Sequence, residues 1–566
     1  MLPIKGQKPA FLLLLSIFLL GACIQAIDLW RPIDGRLREP WRECDYAAIA
    51  RNYYREGMNI LYPRIDWRGA GPGYAEMEFP IFPWMTALLY KIFGFHEVLG
   101  RLLGYFVSLL TIPVFMLSAR HLLPAWGAIT ASLLFVLNPL VIRISNSLQP
   151  ESLMLFFYVS AVYAFLRWLD EERSHWLWLA AAATSLAILV KITAGHIIIL
   201  MIFLLLLQKG FRGILQRKIL VFGIIALLPG LLWYLHAHGL YLAYGNSLGV
   251  SNEYHWIGWD MIKSPLFFLR LLLRAIKIEV VNIWMPLGGL VILVSLRWFS
   301  ERAVKVSIYW LTSIWLYYIV AIRTTSKIFA TYYHIFSAPV AALLLGVASI
   351  HVMKSMSRSG RFRFLLGVAT AFAIIIVIIR AALGLRLPLF QAGAGILVLG
   401  SFLVAVAAYF EYSQRPNQSI IKFLSLSLLS LIVLTTIMFS GLKISVDLHP
   451  DAWQERYFCA QSFRRFIPTN VLILVSGGYS RDPTGHRLAF DASYFHYWLD
   501  RKGFVIPRDA LAVTSIRDYA SRGARYFVLE KAAEKVAQDF VVEMKKTFSL
   551  VYECDAAYLF GLEPAS

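Results

Sequence analysis

The 566-residue sequence is poor in charged residues: Asp, Glu, Lys and Arg make up only 16% of it, whereas 59% of the residues are hydrophobic. Its mean hydropathy of +0.63 excludes an ordinary soluble globular protein. Acidic residues are especially scarce, since 54 Lys and Arg against 34 Asp and Glu give a net charge of +20. The basic residues lie mostly at the ends of apolar segments and in short loops, which is typical of topology signals and of contacts with lipid phosphates. We therefore expect membrane lipids, and no nucleic acid, as partners.

Cysteine is also scarce: the chain has four, and no two have CxxC spacing. This count excludes a disulfide-rich scaffold and a CxxC metal site. Cys23 ends an apolar run in the order LGAC, which resembles a lipoprotein signal, although an uncleaved signal-anchor helix is the preferred interpretation. We expect Cys459 and Cys554 to pair if their region lies in an oxidising compartment; two buried free thiols are the alternative.

Long apolar runs dominate the rest of the sequence, and at about 18 to 22 residues each can cross the hydrocarbon core as a helix. A helix satisfies its own backbone hydrogen bonds in lipid, so the pattern predicts a mainly α, polytopic transmembrane bundle of about 13 helices. The predicted spans are 9–29, 97–119, 124–143, 150–168, 175–191, 193–208, 218–236, 284–299, 304–322, 333–351, 364–381, 389–411 and 419–441.

The sequence predicts two domains: a transmembrane domain at 1–445 with a polar loop at 31–83, and a small α/β domain at 446–566. In the second, NVLILVSGG and RGARYFVLE are typical strands, TFSLVYECDAAYLFGL is typical of a hairpin, and helices are predicted at 507–521 and 531–547. Lys5 and Lys8 favour a cytoplasmic N-terminus. The loop at 31–83 is then outside, and the odd number of spans also places the C-terminal domain outside.

The loop at 31–83 and nearby helix ends contain most of the residues that could carry chemistry. We expect an amphipathic surface helix from Asp45, with Tyr46, Ile49 and Tyr53 on its apolar face, and a second surface helix at 80–93. A lone acid at a helix start is commonly just an N-terminal charge. Here several acids and a cationic, aromatic group are expected on one side of the membrane: Glu43, Asp45, Glu78 and Glu151, with Lys191, Tyr332, Tyr333 and His334.

These residues lie in motifs that resemble those of the GT-C class of polytopic membrane glycosyltransferases, in the branch of dolichyl-phosphate-mannose protein mannosyltransferases and bacterial aminoarabinose transferases. The motifs are DYAAIARNYY, MEFPIFPWMTALLYKIFG, EVLGRLLGYF, NSLQPESLMLFF, AILVKITAG and TYYHIFSAPVAAL. Each motif alone is only loosely defined, but the order and spacing of the six motifs are specific for this class. The resemblance implies transfer of a hexosyl or pentosyl group from a polyprenyl-phosphate donor, on the outer face of a bacterial inner or plasma membrane.

The resemblance also implies roles for individual residues. An acid of the first loop acts as base or stabiliser, and Asp45 is the best placed. Many relatives have adjacent Asp and Glu there, whereas Cys44 separates the acids in this chain, so Glu43 stays a candidate. Glu78 would hold the donor phosphate or a divalent metal ion. Lys191 and the cluster of Tyr332, Tyr333 and His334 fall where relatives bind the donor phosphate.

The chemistry of such a transfer fits these residue types. Inverting transfer requires a carboxylate that takes the acceptor's proton while an oxocarbenium-like sugar carbon is attacked. The phosphate leaving group requires positive charge but no general acid. Lys191 and Arg274 could supply that charge, as could a divalent metal at Glu78 and His255.

Two other functions stay open at this point. A flippase or transporter of lipid-linked glycans would require ionisable residues near the bilayer midplane and inverted repeats, and no internal repeat is evident in the sequence. An O-antigen polymerase or ligase would also use a lipid-linked sugar. The sequence does not identify the acceptor, which could be a protein, a lipid or a glycan.

Overall fold

The computed structural model describes residues 7–35, 40–249, 301–325, 331–356, 452–531 and 538–564, together with residues 258, 262 and 263, and with short gaps at 482–484, 486 and 489. Most of the described chain is helical. The predicted spans at 284–299, 364–381, 389–411 and 419–441 lie outside the described residues.

The first part of the chain forms long apolar helices together with several shorter ones. They are α1 (Gln7–Gln25), α2 (Pro40–Glu56), α3 (Ile81–Phe93), α4 (Val98–Leu122), α5 (Ala125–Val136), α6 (Pro139–Ser145), α7 (Glu151–Glu171), α8 (Ser174–Val190), α9 (Ile197–Ile214), α10 (Arg217–Tyr244), α11 (Arg302–Val320), α12 (Ile322–Thr325) and α13 (Ser337–Met356). Short 3-10 helices occupy Ile192–His196 and Thr331–His334.

Among the described residues, five helices are long and apolar enough to cross a membrane, or six if the bent pair α5 and α6 counts as one span. The multi-pass helical class is therefore confirmed, whereas the count of about 13 helices stays a prediction. The bend of 57° in the predicted span 124–143 was not foreseen. It arises because Pro139 starts α6 and the Asn138 side chain accepts hydrogen bonds from the amides of Leu140 and Val141.

The chain breaks at Lys191, as predicted. Helix α8 ends at Val190, the backbone of Lys191 is extended, and a 3-10 turn leads into α9. The break places the Lys191 ammonium at the ends of two helices, where it pairs with the Glu151 carboxylate and does not face lipid.

The C-terminal part contains a small α/β unit, which is confirmed. In the described residues its elements are α14 (Ala452–Phe463), β1 (Leu472–Ser476), α15 (Ser493–Leu499), β2 (Gly503–Ile506), α16 (Val513–Ser521), β3 (Ala524–Glu530), α17 (Gln538–Thr547), β4 (Phe548–Glu553) and β5 (Ala557–Pro564). The sheet has the order β2-β1-β3-β5-β4. Strand β1 is parallel to β2 and β3, and β5 is antiparallel to β3 and β4. Strand β2 and helices α14 and α15 were not predicted from the sequence.

A disulfide joins α14 to the end of β4 through Cys459 and Cys554, whose Cα atoms are 6.0 Å apart. The structure therefore has the predicted pairing. It connects residues 95 positions apart in the sequence. Such a link fixes the first helix of the C-terminal unit to its last hairpin.

Helix α2 differs from the predicted surface helix in its start and its burial. It begins at Pro40, five residues before Asp45, so Glu43 lies in its first turn and Asp45 lies beyond it. Its polar side is also covered, because α15 packs against it. Arg51 of α2 pairs with Asp66 at 2.5 Å and with Asp500, at the end of α15, at 2.8 Å. The amphipathic pattern was correct, but the polar face contacts protein instead of water.

Further contacts tie the C-terminal unit to the first loop. The amide of Gly69 donates to the Gly503 carbonyl at 2.6 Å, and the amide of Gly503 donates to the Asp66 carbonyl at 3.1 Å. The Trp498 indole donates to the Ile33 carbonyl at 2.6 Å. The first loop is thus held between the helical bundle and the C-terminal unit.

Candidate active site

Five segments that are distant in sequence meet at one end of α7. They are the first turn of α2, the segment that precedes α3, the first residue of α7, the break between α8 and the 3-10 turn, and the 3-10 turn at Thr331–His334. Several predicted site residues come together there, and the charged ones bond to one another.

The centre of this cluster is the carboxylate of Glu151, which is fully buried. Its Oε1 atom lies 2.5 Å from the Lys191 ammonium and 2.5 Å from Nη2 of Arg42. One carboxylate oxygen thus contacts two cations. Burying charges is costly unless geometry and hydrogen bonds compensate, so an arrangement of this kind is more informative about function than about stability.

Glu78 is the second carboxylate near Arg42. Its Oε1 atom is 3.8 Å from Arg42 Nη2, and its Oε2 atom accepts a hydrogen bond of 2.9 Å from the Tyr46 hydroxyl. Tyr46 also places its ring under the Arg42 guanidinium, 5.2 Å from ring centroid to Cζ. Glu78 and Tyr46 therefore fix the orientation of Arg42.

Tyr332 and Tyr333 close the cluster from the 3-10 turn before α13. The Tyr332 ring centroid is 4.2 Å from Cζ of Arg42 and 4.6 Å from Nζ of Lys191. The Tyr333 ring centroid is 4.4 Å from the same Nζ. Aromatic faces at these distances stabilise cations without neutralising them.

His334 belongs to the same turn, and its ring contacts two neighbouring helices. Its Nε2 atom lies 2.8 Å from the Thr325 carbonyl, and its ring contacts Tyr318 at 4.6 Å between centroids. These contacts join the turn to α12 and α11. The structure therefore gives His334 contacts that hold the turn, outside the charged cluster.

Glu43 also lies apart from the cluster. It is buried, its Oε1 is 3.3 Å from Nε of Arg101 on α4, and it accepts a hydrogen bond of 2.9 Å from the Leu148 amide. It joins α2 to α4 and to the loop before α7. Asp45 points in another direction, as expected for residues two positions apart on a helix.

Asp45 faces the first loop and the C-terminal unit. Its Oδ1 atom is 3.5 Å from the Trp67 indole nitrogen, and its carboxyl is hydrogen-bonded to Ser493 at the start of α15. Burial raises the pKa of Asp45 to about 7, against the opposing effects of these two hydrogen bonds and of Arg42. The group can therefore gain and lose a proton near neutral pH.

Comparison with known proteins now adds to this geometry. Residues 77–234 match the family model described as dolichyl-phosphate-mannose-protein mannosyltransferase. An Aquifex aeolicus protein described only as uncharacterized is 27% identical over 202 residues, which are 35% of this chain and 38% of that protein. ArnT from Cupriavidus metallidurans, solved bound to undecaprenyl phosphate, is similar over 97% of both chains, with 14% identity and a TM-score of 0.58.

The apo oligosaccharyltransferase of Archaeoglobus fulgidus is also similar, over 97% of this chain and 74% of that one, with 15% identity and a TM-score of 0.50. The chain has the GT-C fold. The resemblance inferred from the motifs is confirmed, and the region matched by the family model contains Glu78, Glu151 and Lys191.

A divalent metal at Glu78 stays a prediction. Within the described part of the chain, no group of three His, Cys, Asp or Glu side chains is arranged to hold a metal ion. One oxygen of the Glu78 carboxylate accepts a hydrogen bond from Tyr46, and the other lies near the Arg42 guanidinium. The positive charge of Arg42 would repel a metal ion bound to Glu78. His255, the other predicted metal ligand, and Arg274, predicted to contact the donor phosphate, lie outside the described residues. The described donor set does not fit a metal, so no step below uses one.

Arg42 is the functional candidate that sequence reasoning missed. The loop at 31–83 is rich in arginine, and the spacing of these arginines does not distinguish Arg42 from the others. A usable signal was its position one helical turn before Asp45 and Tyr46 on a single helix. The identity of its partners depended on contacts with Glu151, which is 109 residues away.

Proposed function

We propose that the protein is a membrane glycosyltransferase that moves a sugar from a polyprenyl-phosphate donor to a protein, lipid or glycan acceptor on the outer face of the membrane. The observation that carries the proposal is the pair of cations, Arg42 and Lys191, on one oxygen of Glu151. Arg42 and Lys191 balance the charges of Glu151 and Glu78, and an incoming phosphate would compete with these carboxylates for the N–H donors of the two cations. Arginine presents a planar fork that matches phosphate oxygens, and lysine adds a point charge.

The position of these cations suits a lipid-linked donor. Glu151 is the first residue of a candidate membrane span, and Lys191 immediately precedes another, so both lie at one end of the bundle. A polyprenyl chain would extend into the apolar region while its phosphate stays at the cluster. Between Glu151 and Arg167, α7 has no charged residue, which disfavours a transport path along it.

Asp45 is the proposed base. It lies on α2 three residues after Arg42, so it is one turn from the proposed phosphate site. A general base works best when its pKa is near the working pH, and that of Asp45 is about 7. In the transfer, the bond from the sugar's anomeric carbon to the donor phosphate breaks and a bond to the acceptor oxygen forms. The acceptor's proton passes to Asp45, and the polyprenyl phosphate leaves as an anion stabilised by Arg42 and Lys191.

Glu78 is proposed to act on the donor through Arg42. Its own negative charge would repel a phosphate at close range, but its contacts with Arg42 and Tyr46 hold the guanidinium in place. This role differs from direct binding of the phosphate. Tyr332 and Tyr333 complete the wall against which the cations pack.

The outer face is proposed as the place of reaction. The Cys459–Cys554 disulfide supports this assignment, since disulfides persist in oxidising compartments such as the bacterial periplasm and are rare in the cytosol. The unit that contains the disulfide packs on α2, which carries both Arg42 and Asp45. A site on α2 would then lie on the same side of the membrane as the disulfide.

Binding of undecaprenyl phosphate to the purified protein in nanodiscs tests the phosphate site. Arg42→Gln should weaken binding roughly 10- to 100-fold, as expected for loss of a hydrogen bond between charged groups, and Arg42→Lys should restore part of it. Arg55→Gln is the matched control, because Arg55 lies on the same helix but pairs with Asp500. Equal affinities of the Arg42→Gln and Arg55→Gln variants would contradict the proposal.

A further inference from the structure

Three buried side chains from three different elements form a hydrogen-bonded chain near the charged cluster. Trp310 of α11 donates its indole N–H to the Tyr158 hydroxyl of α7 at 2.6 Å. That hydroxyl lies 2.9 Å from Nε2 of His196, and Nδ1 of His196 lies 2.6 Å from the Thr193 carbonyl. None of the three residues is more than 7% exposed, so their polar atoms depend on partners within the protein.

The hydrogen positions along this chain follow from its first donor. An indole nitrogen can only donate, so the Tyr158 oxygen accepts from Trp310, and its own hydrogen is directed to Nε2 of His196. Nδ1 then carries the hydrogen that is donated to the Thr193 carbonyl. In this arrangement every donor has an acceptor, and His196 is a neutral imidazole with one fixed tautomer.

His196 ends the 3-10 turn that begins directly after Lys191. Within this turn the Ala194 amide donates to the Lys191 carbonyl at 2.9 Å, and the His196 ring bonds to the Thr193 carbonyl. Hydrogen bonds in a 3-10 turn have poorer geometry than those in an α-helix, so a short turn gains from additional contacts. The chain of side chains therefore fixes this turn to α7 and α11, just after the Lys191 backbone leaves α8.

The His196 ring also packs against the segment that carries the two tyrosines of the cluster. Its centroid is 4.7 Å from that of Phe336, edge-to-face at 87°, and 5.1 Å from that of Tyr317, with which it is stacked at 9°. Phe336 follows Tyr333 by three residues. His196 thus contacts both the turn after Lys191 and the segment that follows the tyrosines packed on the Lys191 ammonium.

We propose that His196 is a positioning residue for Lys191. Its bond to Tyr158 holds the turn after the chain break in the place that brings the Lys191 ammonium to within 2.5 Å of Glu151. Tyr158 lies seven residues after Glu151, about two turns along the same helix and on the same face. Lys191 is thereby fixed relative to the helix that carries its partner. The inference rests on the proposed function for the role of Lys191 in phosphate binding, whereas the hydrogen-bonded chain does not depend on a substrate.

Tyr158→Phe tests the inference, because it removes one hydroxyl and keeps the shape of the side chain. In nanodiscs, undecaprenyl phosphate should bind this variant roughly 3- to 10-fold more weakly, the effect of about one hydrogen bond. Ser132→Ala is the matched control, since Ser132 is also buried but its hydroxyl donates to the Ala128 carbonyl of its own helix α5 at 2.7 Å. The control should bind the lipid as the wild type does, and thermal melts establish that both variants are folded.

A measurement without lipid shows whether the effect passes through Lys191. Reductive methylation followed by peptide mass spectrometry compares Lys191, whose side chain is 2% exposed, with Lys209, which is 17% exposed and pairs with Glu172. Tyr158→Phe should raise the methylation rate of Lys191 several-fold and leave that of Lys209 unchanged. His196→Asn, which also loses the bond to the Tyr158 hydroxyl, should give the same pattern and replaces Tyr158→Phe if that variant does not fold.

Unchanged lipid affinity, an unchanged methylation rate of Lys191, or equal acceleration at Lys191 and Lys209 would overturn the inference. Any of these results beside normal lipid binding by the wild type would leave the proposed function intact. If Lys191 becomes more reactive in Tyr158→Phe but the wild-type protein does not bind undecaprenyl phosphate, the positioning of Lys191 stands and the proposed function fails.

Discussion

Lys191 and Glu151 form an ion pair of 2.5 Å in which the lysine side chain is 2% exposed and the glutamate side chain 0%. The two residues lie at a chain break and at a helix start, 40 positions apart. Because Arg42 shares the same carboxylate oxygen and also lies near Glu78, the pair is one part of a network of two cations and two carboxylates. The first predictions below concern the groups arranged around this site.

Asp45→Asn should lower the transfer rate by roughly 10²- to 10⁴-fold, the usual cost of losing a general base. The variant keeps the shape of the side chain, and Asp45 does not touch the proposed phosphate site, so binding of undecaprenyl phosphate should be unchanged. Single-turnover transfer together with lipid binding measures both. Near-normal turnover would remove Asp45 from the base role.

The same assignment fixes the pH dependence of wild-type transfer. Asp45 must be ionised to accept a proton, and its pKa is about 7, so the rate should rise with pH up to a midpoint near 7. The free energy of unfolding should change in the opposite direction to the rate. Because folding raises the pKa of Asp45 to about 7, the folded protein should lose stability as pH rises from the ordinary pKa of an aspartate toward 7. Asp45→Asn should remove this loss of stability.

Glu78→Gln should weaken binding of undecaprenyl phosphate while the rate from the bound state changes little. The reason is that Glu78 orients Arg42 and accepts from Tyr46, without serving as a proton acceptor. Tyr46→Phe removes the same hydrogen bond from the other side and should have a smaller effect in the same direction. A large fall in rate with unchanged affinity would instead give Glu78 a direct role in the chemistry.

Glu43→Gln should act on stability. Its carboxylate is buried against Arg101, and breaking a buried pair from one side costs roughly 3–5 kcal/mol. The folded fraction of the variant should transfer sugar at the wild-type rate. A double-mutant cycle with Arg101→Gln, followed by thermal unfolding, measures the coupling. Loss of transfer in a variant with wild-type stability would make Glu43 the main acid.

Replacing Cys459 and Cys554 by serine should destabilise the C-terminal unit. The bond closes a loop across 95 positions, for which loop-closure estimates give roughly 4 to 5 kcal/mol before native-state strain is considered. Thermal unfolding of oxidised, reduced and double-serine forms tests this. A non-reducing mass map of the native protein in which both thiols are free would show that the pairing does not form.

The topology is tested by fusions after Ser566. Alkaline phosphatase should be active there and green fluorescent protein dark, because the C-terminal unit is predicted outside the cytoplasm. The basic loops between spans support this orientation. The reverse pattern would change the number of spans by one and move the proposed site to the inner face.

The sequence alone determined the helical membrane class, the break at Lys191, the strands β1, β3, β4 and β5, and most of the residues in the charged cluster. These features are local: an apolar run of sufficient length, a lysine within it, or a β-rich segment bounded by turns each has few alternatives. The number of spans beyond the described residues stays a prediction. The missed strand β2 is four residues long, too short for a distinctive pattern.

Only the tertiary structure decided which charged residues work together. Glu43 and Asp45 are two residues apart in sequence, yet one is bonded to Arg101 of α4 and the other faces Trp67 of the first loop and Ser493 of the C-terminal unit. Arg42 became a central residue because Glu151 and Glu78 both lie near its Nη2 atom. The physical reason is that ion pairs and the pKa of a buried acid depend on distances of a few ångströms between distant parts of the chain, and local sequence does not encode those distances.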